Sequence, residues 1–254
     1  MESSRYEADN EVFQWKNQNP ACAQNPTFIS DEPMKTESLF WSWYARCYDG
    51  LLSTIPYRRL LDQTINCLPV GVATLLDAGC GTGNLLAAIR RRRPNLALHG
   101  IDFSEAMLRR ARRKVSAAHF LPGDLNAALP YADESFDVVT CVNVLYAVAA
   151  PANTLAELRR VLRPGGTLIV SSPLAQPKIA AFIRGHAAES GWIRTAPLLV
   201  RLTVLIMFNV LILHRGHAGQ YHFLDEEAVR KLLGRTPITH AYAGQNWFAC
   251  AKKD

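Results

Sequence analysis

The heptapeptide Asp77-Ala78-Gly79-Cys80-Gly81-Thr82-Gly83 constrains this chain more than any other stretch. An apolar run over 72–76 leads into it and helical spacing follows over 85–93, so three glycines fall where a strand turns sharply into a helix. Glycine suits such an elbow because a residue without a Cβ takes positive φ readily and lets a ligand lie directly against the backbone. The spacing argues against two common occupants. A dinucleotide fingerprint needs Gly-x-Gly-x-x-Gly, and Asn84 stands where its third glycine belongs. A P-loop needs Gly-Lys-Ser/Thr, which the sequence lacks. Asp77, at the carboxyl end of the strand, would repel a pyrophosphate and favour a cation.

S-adenosylmethionine (SAM) carries an ammonium and a sulfonium and no phosphate. A second apolar strand over 96–101 ends in Asp102, about twenty residues past the glycines, where a ribose-binding carboxylate belongs. Together these features resemble the class I SAM-dependent methyltransferases, in the small-molecule branch that includes the ubiquinone and menaquinone enzymes. Asp77 to Gly83 matches that family's first motif, Gly100-Ile101-Asp102-Phe103-Ser104 its second-strand motif, and Gly123-Asp124-Leu125 its adenine-binding acid. Phe136-Asp137-Val138-Val139 and Leu158-Arg159-Arg160-Val161-Leu162-Arg163-Pro164-Gly165-Gly166 resemble the fourth strand and the helix-turn into the fifth. The resemblance implies that Gly79, Cys80, Gly81 and Gly83 admit the methionine and ribose portions and that Asp102 holds the ribose hydroxyls. It also implies that Phe103 and Met107 border the adenine, that Asp124 takes its amino group with a backbone amide from Leu125, and that Asn143 lies near the methionyl ammonium. Asp102 is expected to be dispensable for folding because it ends a strand.

Strands and helices alternate along the core: strand to Ala78, helix 83–93, strand to Asp102, helix 104–117, strands 118–122 and 136–142, helix 153–162, strand 166–172. Such alternation predicts a doubly wound, mostly parallel α/β sheet of the Rossmann-like kind. Its ligands sit at the carboxyl ends of the strands, where Asp77, Asp102, Asp124 and Asn143 all fall. Residues 238–242 and 247–251 around Gly244 read as a hairpin. The family's seven-stranded sheet ends in such an antiparallel pair.

Residues 1–37 are polar, without sustained periodicity, and read as a mobile arm. Aromatics crowd 38–70, where Tyr44 and Tyr48 share a helix face; they serve either as packing or as a lid over the cofactor, and the resemblance favours the lid. The SAM-binding domain is expected over 71–254, interrupted by an insertion at 173–224. Within that insertion 197–213 is apolar on every face, which fits a buried lid or dimer helix, a wall of a lipophilic pocket, or a segment touching a membrane surface. It is too short, and Arg201 too central, for a membrane span.

The net charge of +6 is concentrated at Arg90 to Arg93 and at Arg109, Arg110, Arg112, Arg113 and Lys114. These runs read as solvated helix ends on the far side of the sheet from the cofactor, so no nucleic-acid partner is expected. The six cysteines include no Cys-x-x-Cys pair, the N-terminus shows no apolar signal core, and a cytoplasmic protein fits best, with peripheral membrane contact and a homodimer left open. His214, His217 and His222 match no standard metal spacing, so no metal is expected. Methyl transfer from a sulfonium needs alignment and exclusion of water more than a fixed catalytic dyad. If the small acceptor must lose a proton, Tyr146, Tyr221 and His222 are the candidate bases.

Overall fold

The computed structural model describes residues 40–253 apart from 42, 175–178, 194, 196–202, 204–206, 209, 213 and 215–220. The 1–37 arm and most of the 197–213 segment therefore lie outside the described residues.

Seven strands form one sheet: β1 (Thr74–Ala78), β2 (Ala97–Asp102), β3 (His119–Pro122), β4 (Phe136–Val142), β5 (Leu162–Pro173), β6 (Ile238–Ala241) and β7 (Asn246–Lys252). Their order is β3-β2-β1-β4-β5-β7-β6. The first five run parallel, and β7 lies antiparallel between β5 and β6. The sequence expectation of a parallel sheet closed by an antiparallel pair holds, with helix and strand ends moved by a few residues.

Helices cover both faces, which is why the central strands read as continuous apolar runs. Alternate residues serve opposite layers. Leu75, Leu98, Val138 and Ile169 enter one core with α1 (Ile55–Asn66), α2 (Asn84–Arg92) and α3 (Glu105–Lys114). Leu76, Ile101, Val139 and Val170 enter the other with α4 (Pro151–Val161) and α6 (Glu226–Leu233). The insertion contributes α5 (Ile179–Ser190), docked on α1 where the Ile55 amide donates to His186 Nδ1 at 3.1 Å.

The second of the two charged runs diverges from the expectation. Arg90 does cap local carbonyls, those of Pro94 and Ala117. On α3, however, Lys114 donates to Asp49 Oδ1 at 2.6 Å, Asn84 Oδ1 at 2.6 Å and Thr82 Oγ1 at 3.0 Å. Arg110 pairs with the other Asp49 oxygen at 3.7 Å. Part of the run therefore faces the glycine loop and does not lie wholly on the far side. The cause is the close crossing of α2 and α3 at Gly83, where an added Cβ would meet the Ala111 backbone and methyl at 3.0 Å.

Gly83 also has φ +75°, a left-handed conformation that side chains disfavour. Gly83→Ala is expected to lower unfolding free energy by about 2–4 kcal/mol, the sum of left-handed strain and overpacking. Urea titration reads this directly, and a variant as stable as the parent would show that the two helices separate freely.

Candidate active site

The carboxyl ends of β1, β2 and β4 meet at one edge of the sheet, and the glycine loop leaves from β1 there. The loop's three glycines serve different ends. A Cβ at Gly79 would collide with the Val144 side chain at 2.4 Å, and one at Gly83 with α3. At Gly81, with φ +53°, it would meet nothing within 4 Å among the described residues, so this is the open face of the loop. The Cys80 thiol points into the core, close to Gly100, and burial pushes it well above its ordinary pKa. Its amide donates to the Ile101 carbonyl, so Cys80 shapes the loop and offers no nucleophile.

Asp102 holds the loop in place. Its Oδ2 accepts from the Gly81 amide and its Oδ1 from the Ser104 amide, both at 2.9 Å. Burial raises this carboxyl to about 6 against those two bonds. Asp77 lies deeper, accepts from Thr140 Oγ1 at 2.7 Å, and is raised to about 7 by burial and by the neighbouring Asp102. Two buried carboxylates beside an open glycine face fit a cationic, ribose-bearing ligand, because such a ligand would relieve both penalties at once.

The other expected cofactor residues fall around this edge, at different depths. Phe103 follows β2 and is 37% exposed, whereas Met107 is buried in the α3 layer. Asp124 Oδ1 is oriented by the Asn126 amide and side chain, at 2.9 and 2.8 Å, and Leu125 is buried beside it. Asn143 has φ +61° and donates its amide to the Ser171 carbonyl.

Above the edge lies an aromatic layer. Residues 43–48 are helical, and Tyr44 and Tyr48 share a face with ring centroids 5.4 Å apart. Phe208, from the little of the 197–213 segment that is described, packs on Phe40 and Tyr44, both at 5.4 Å. Burial pushes the Tyr48 phenol up to about 12, and the hydroxyl of Tyr57 lies 3.4 Å away. Tyr146, Tyr221 and His222 do come together: the two tyrosine rings meet edge to face at 5.6 Å, and the His222 amide donates to the Tyr146 carbonyl at 2.6 Å. Among the described residues no cluster of three or more metal-ligating side chains occurs; His217 lies outside them.

Sequence reasoning missed the Asp49–Lys114 pair, which ties the aromatic layer to the loop, and the buried Asn143–Ser171–Asn246 group. The former was hidden because Lys114 sits in a basic run that reads as a solvated helix end, and its partner Asp49 lies 65 residues away in the chain. The latter depends on β7 lying beside β5, which no local spacing reveals.

Residues 76–170 match the family described as methyltransferase domain. The chain is 38% identical over 125 residues to the demethylmenaquinone methyltransferase of Thermus thermophilus, covering 48% of this chain and 55% of that protein. It is 39% identical over 104 residues to the malonyl-[acyl-carrier protein] O-methyltransferase of Erwinia pyrifoliae, covering 41% and 38%. The chain thus spans about half or less of the length of these relatives. An O-methyltransferase family protein from Burkholderia thailandensis shares the fold, with a TM-score of 0.58 at 15% identity over 97% of this chain and 70% of that one. The matched methyltransferase domain lies across β1 to β5, and the sheet, parallel with an antiparallel end, is the Rossmann-like fold of SAM-dependent methyltransferases. The cofactor of the family is SAM.

Two predictions follow from the carboxylates. Both Asp77 and Asp102 have folded pKa values raised above the ordinary 3.8, so the fold binds more protons than the unfolded chain between about pH 4 and 7. Their contribution to stability is present below that window and is lost as pH rises through it. Asp77→Asn, which cannot ionise, should therefore lose less thermal stability between pH 5 and 8 than the parent, and an unchanged difference would contradict the burial argument. SAM should bind more tightly as pH rises through 6–7 and release protons, seen as a buffer-dependent heat at pH 6.

Asp102→Ala is expected to weaken SAM binding and also to cost about 2–4 kcal/mol of stability, since two charge-assisted backbone bonds are lost. The expectation that this residue is dispensable for folding is thereby corrected: Asp102 is 8% exposed and shapes the loop. Chemical denaturation of the variant without ligand tests this.

Proposed function

We propose that this chain transfers a methyl group from SAM to a small, lipophilic or aromatic acceptor. The observation that carries the reading is the aromatic layer at the strand ends, in which Tyr44, Tyr57, Tyr146 and Tyr221 are all buried, Phe208 packs on Tyr44, Phe223 on Tyr146 and Phe182 on Tyr242. Such a surface favours a planar or apolar guest and excludes water from the transfer. One relative acts on demethylmenaquinone by name, in keeping with this class of acceptor.

In this reading 38–70 is the lid and 71–254 the SAM-binding domain, with the 173–224 insertion closing the acceptor side. Asp102 holds the ribose hydroxyls, Gly81 admits the ligand against the backbone, and Asp77 favours the ammonium side. Gly79, Cys80 and Gly83 set the curvature of the loop. Asp124 and the Leu125 amide address the adenine edge, Phe103 flanks its ring, and Met107 packs beneath. Asn143 offers backbone groups near the methionyl end, and Tyr44 and Tyr48 cover it. When bound, SAM supplies an electrophilic methyl on a sulfonium. The chain's part is to align the acceptor in line with that methyl, to keep water out, and to take a proton where the acceptor has one to lose; we assign that last role to Tyr146, Tyr221 or His222.

A second reading, that the lid also touches a membrane surface, is favoured by one observation. Trp43, Trp192, Ile193, Met207, Val210 and Leu211 are exposed apolar side chains, and Arg46 stacks over Trp43 at 4.5 Å. No helix among the described residues is long and apolar enough to cross a membrane. This face also suits a homodimer, whereas no nucleic-acid partner is proposed.

Calorimetry is expected to show SAM and S-adenosylhomocysteine binding in the micromolar range, about 8 kcal/mol. Isotopically labelled SAM, screened against apolar small molecules and against RNA with mass detection, should label a small acceptor. Efficient labelling of RNA, or full activity after a polar loop replaces 197–213 in a protein that stays folded, would refute the assignment.

A further inference from the structure

Asn246 opens β7 and is fully buried. Its Nδ2 donates to Asn143 Oδ1 at 2.5 Å and to Ser171 Oγ at 2.9 Å. Ser171 Oγ gives its single proton to the Trp247 carbonyl at 2.9 Å, so toward Asn246 it can only accept. That fixes the amide orientation by chemistry and leaves Asn246 Oδ1 as the unused acceptor. This oxygen is buried and has no hydrogen-bond partner among the described residues. A carbonyl oxygen kept dry and unpaired is destabilising, and folds rarely retain one without a use.

Its place in the fold indicates the use. Asn143 leaves the carboxyl end of β4, Ser171 lies near the end of β5, and Asn246 enters β7 opposite Pro173. The group therefore sits on the β4–β5–β7 side of the edge, next to the β1–β2 side where the glycine loop and the two acids lie. Tyr146 comes three residues after Asn143 and Tyr242 four before Asn246, and the buried Tyr44 hydroxyl is within electrostatic reach of both phenols. An unpaired acceptor atom thus belongs to the same strand-end edge from which these tyrosines arise.

We propose that Asn246 Oδ1 is the polar anchor of the acceptor subsite and takes a hydrogen bond from a hydroxyl or N–H group on an otherwise apolar acceptor; this rests on the methyl-transfer reading above. Asn143 and Ser171 are positioning residues that hold the amide in the orientation that leaves the buried oxygen without a partner. The site then selects against molecules of equal bulk that lack a donor, because these leave the buried oxygen unpaired.

The test uses the full chain saturated with S-adenosylhomocysteine and two probes of similar shape, 1-naphthol and 1-methoxynaphthalene, titrated by calorimetry. The parent should bind the naphthol at least about tenfold more tightly. Asn246→Leu should abolish that preference while S-adenosylhomocysteine still binds, since Asn143 is assigned backbone and not side-chain contacts to the methionyl end. Should the leucine variant fail to fold, Asn143→Gly keeps the left-handed backbone, removes the partner that orients the amide, and should reduce the preference. Equal binding of the two probes to the parent, binding of neither, or a preference that survives in both variants would overturn the proposal. Failure of the methyltransferase reading itself would appear separately, as absence of S-adenosylhomocysteine binding.

Discussion

The carboxylate of Asp102 holding the amides of Gly81 and Ser104 is the contact on which the site depends. It reaches from the end of one strand to the loop that leaves the next, so the spacing of β1 and β2 sets the shape of the ligand cradle. The same carboxylate is buried and raised in pKa, which means that its charge is held at a cost. Structure and affinity are thus coupled in one side chain. A loop formed by glycines alone would have many conformations, and this bond selects among them.

The aromatic layer is attached to that loop by charge. Asp49 follows the helical residues 43–48 and meets Lys114 and Arg110 from α3, while Thr82 on the loop donates to the same Asp49 oxygen at 2.6 Å. Residues 43–49, the glycine loop and α3 therefore share one half-buried ionic knot. Because the pair is only partly shielded, its strength is modest.

Much of this was open to reading in the sequence, for physical reasons. Helix and strand periods, together with a Gly-rich elbow at 79–83, settle an alternating parallel fold, and Asp77 beside the glycines points to a cation. The hairpin around Gly244 was visible because a turn residue separates two apolar runs. What stayed hidden has non-local causes. That Asp102 shapes the loop depends on the Gly81 amide turning back to it. The individual glycines carry different loads, which only the neighbours Val144 and Ala111 disclose. Asn246 reads as an ordinary strand start until β7 is placed against β5. In the 197–213 segment Phe208 and Ile212 pack inward while Met207, Val210 and Leu211 are exposed, a division that the uniformly apolar sequence does not announce.

The position of β7 also bears on how the chain reaches its folded state. It comes after β6 in sequence yet lies between β5 and β6 in the sheet, joined to β6 through a turn in which Tyr242, Ala243 and Gly244 all have positive φ. During synthesis, β5 must therefore wait with an unpaired edge, rich in Leu168, Ile169 and Val170, until some eighty further residues have left the ribosome. For that interval the nascent chain presents a template for wrong strand pairing, and chaperone demand should be set by this delay more than by the stability of the finished sheet.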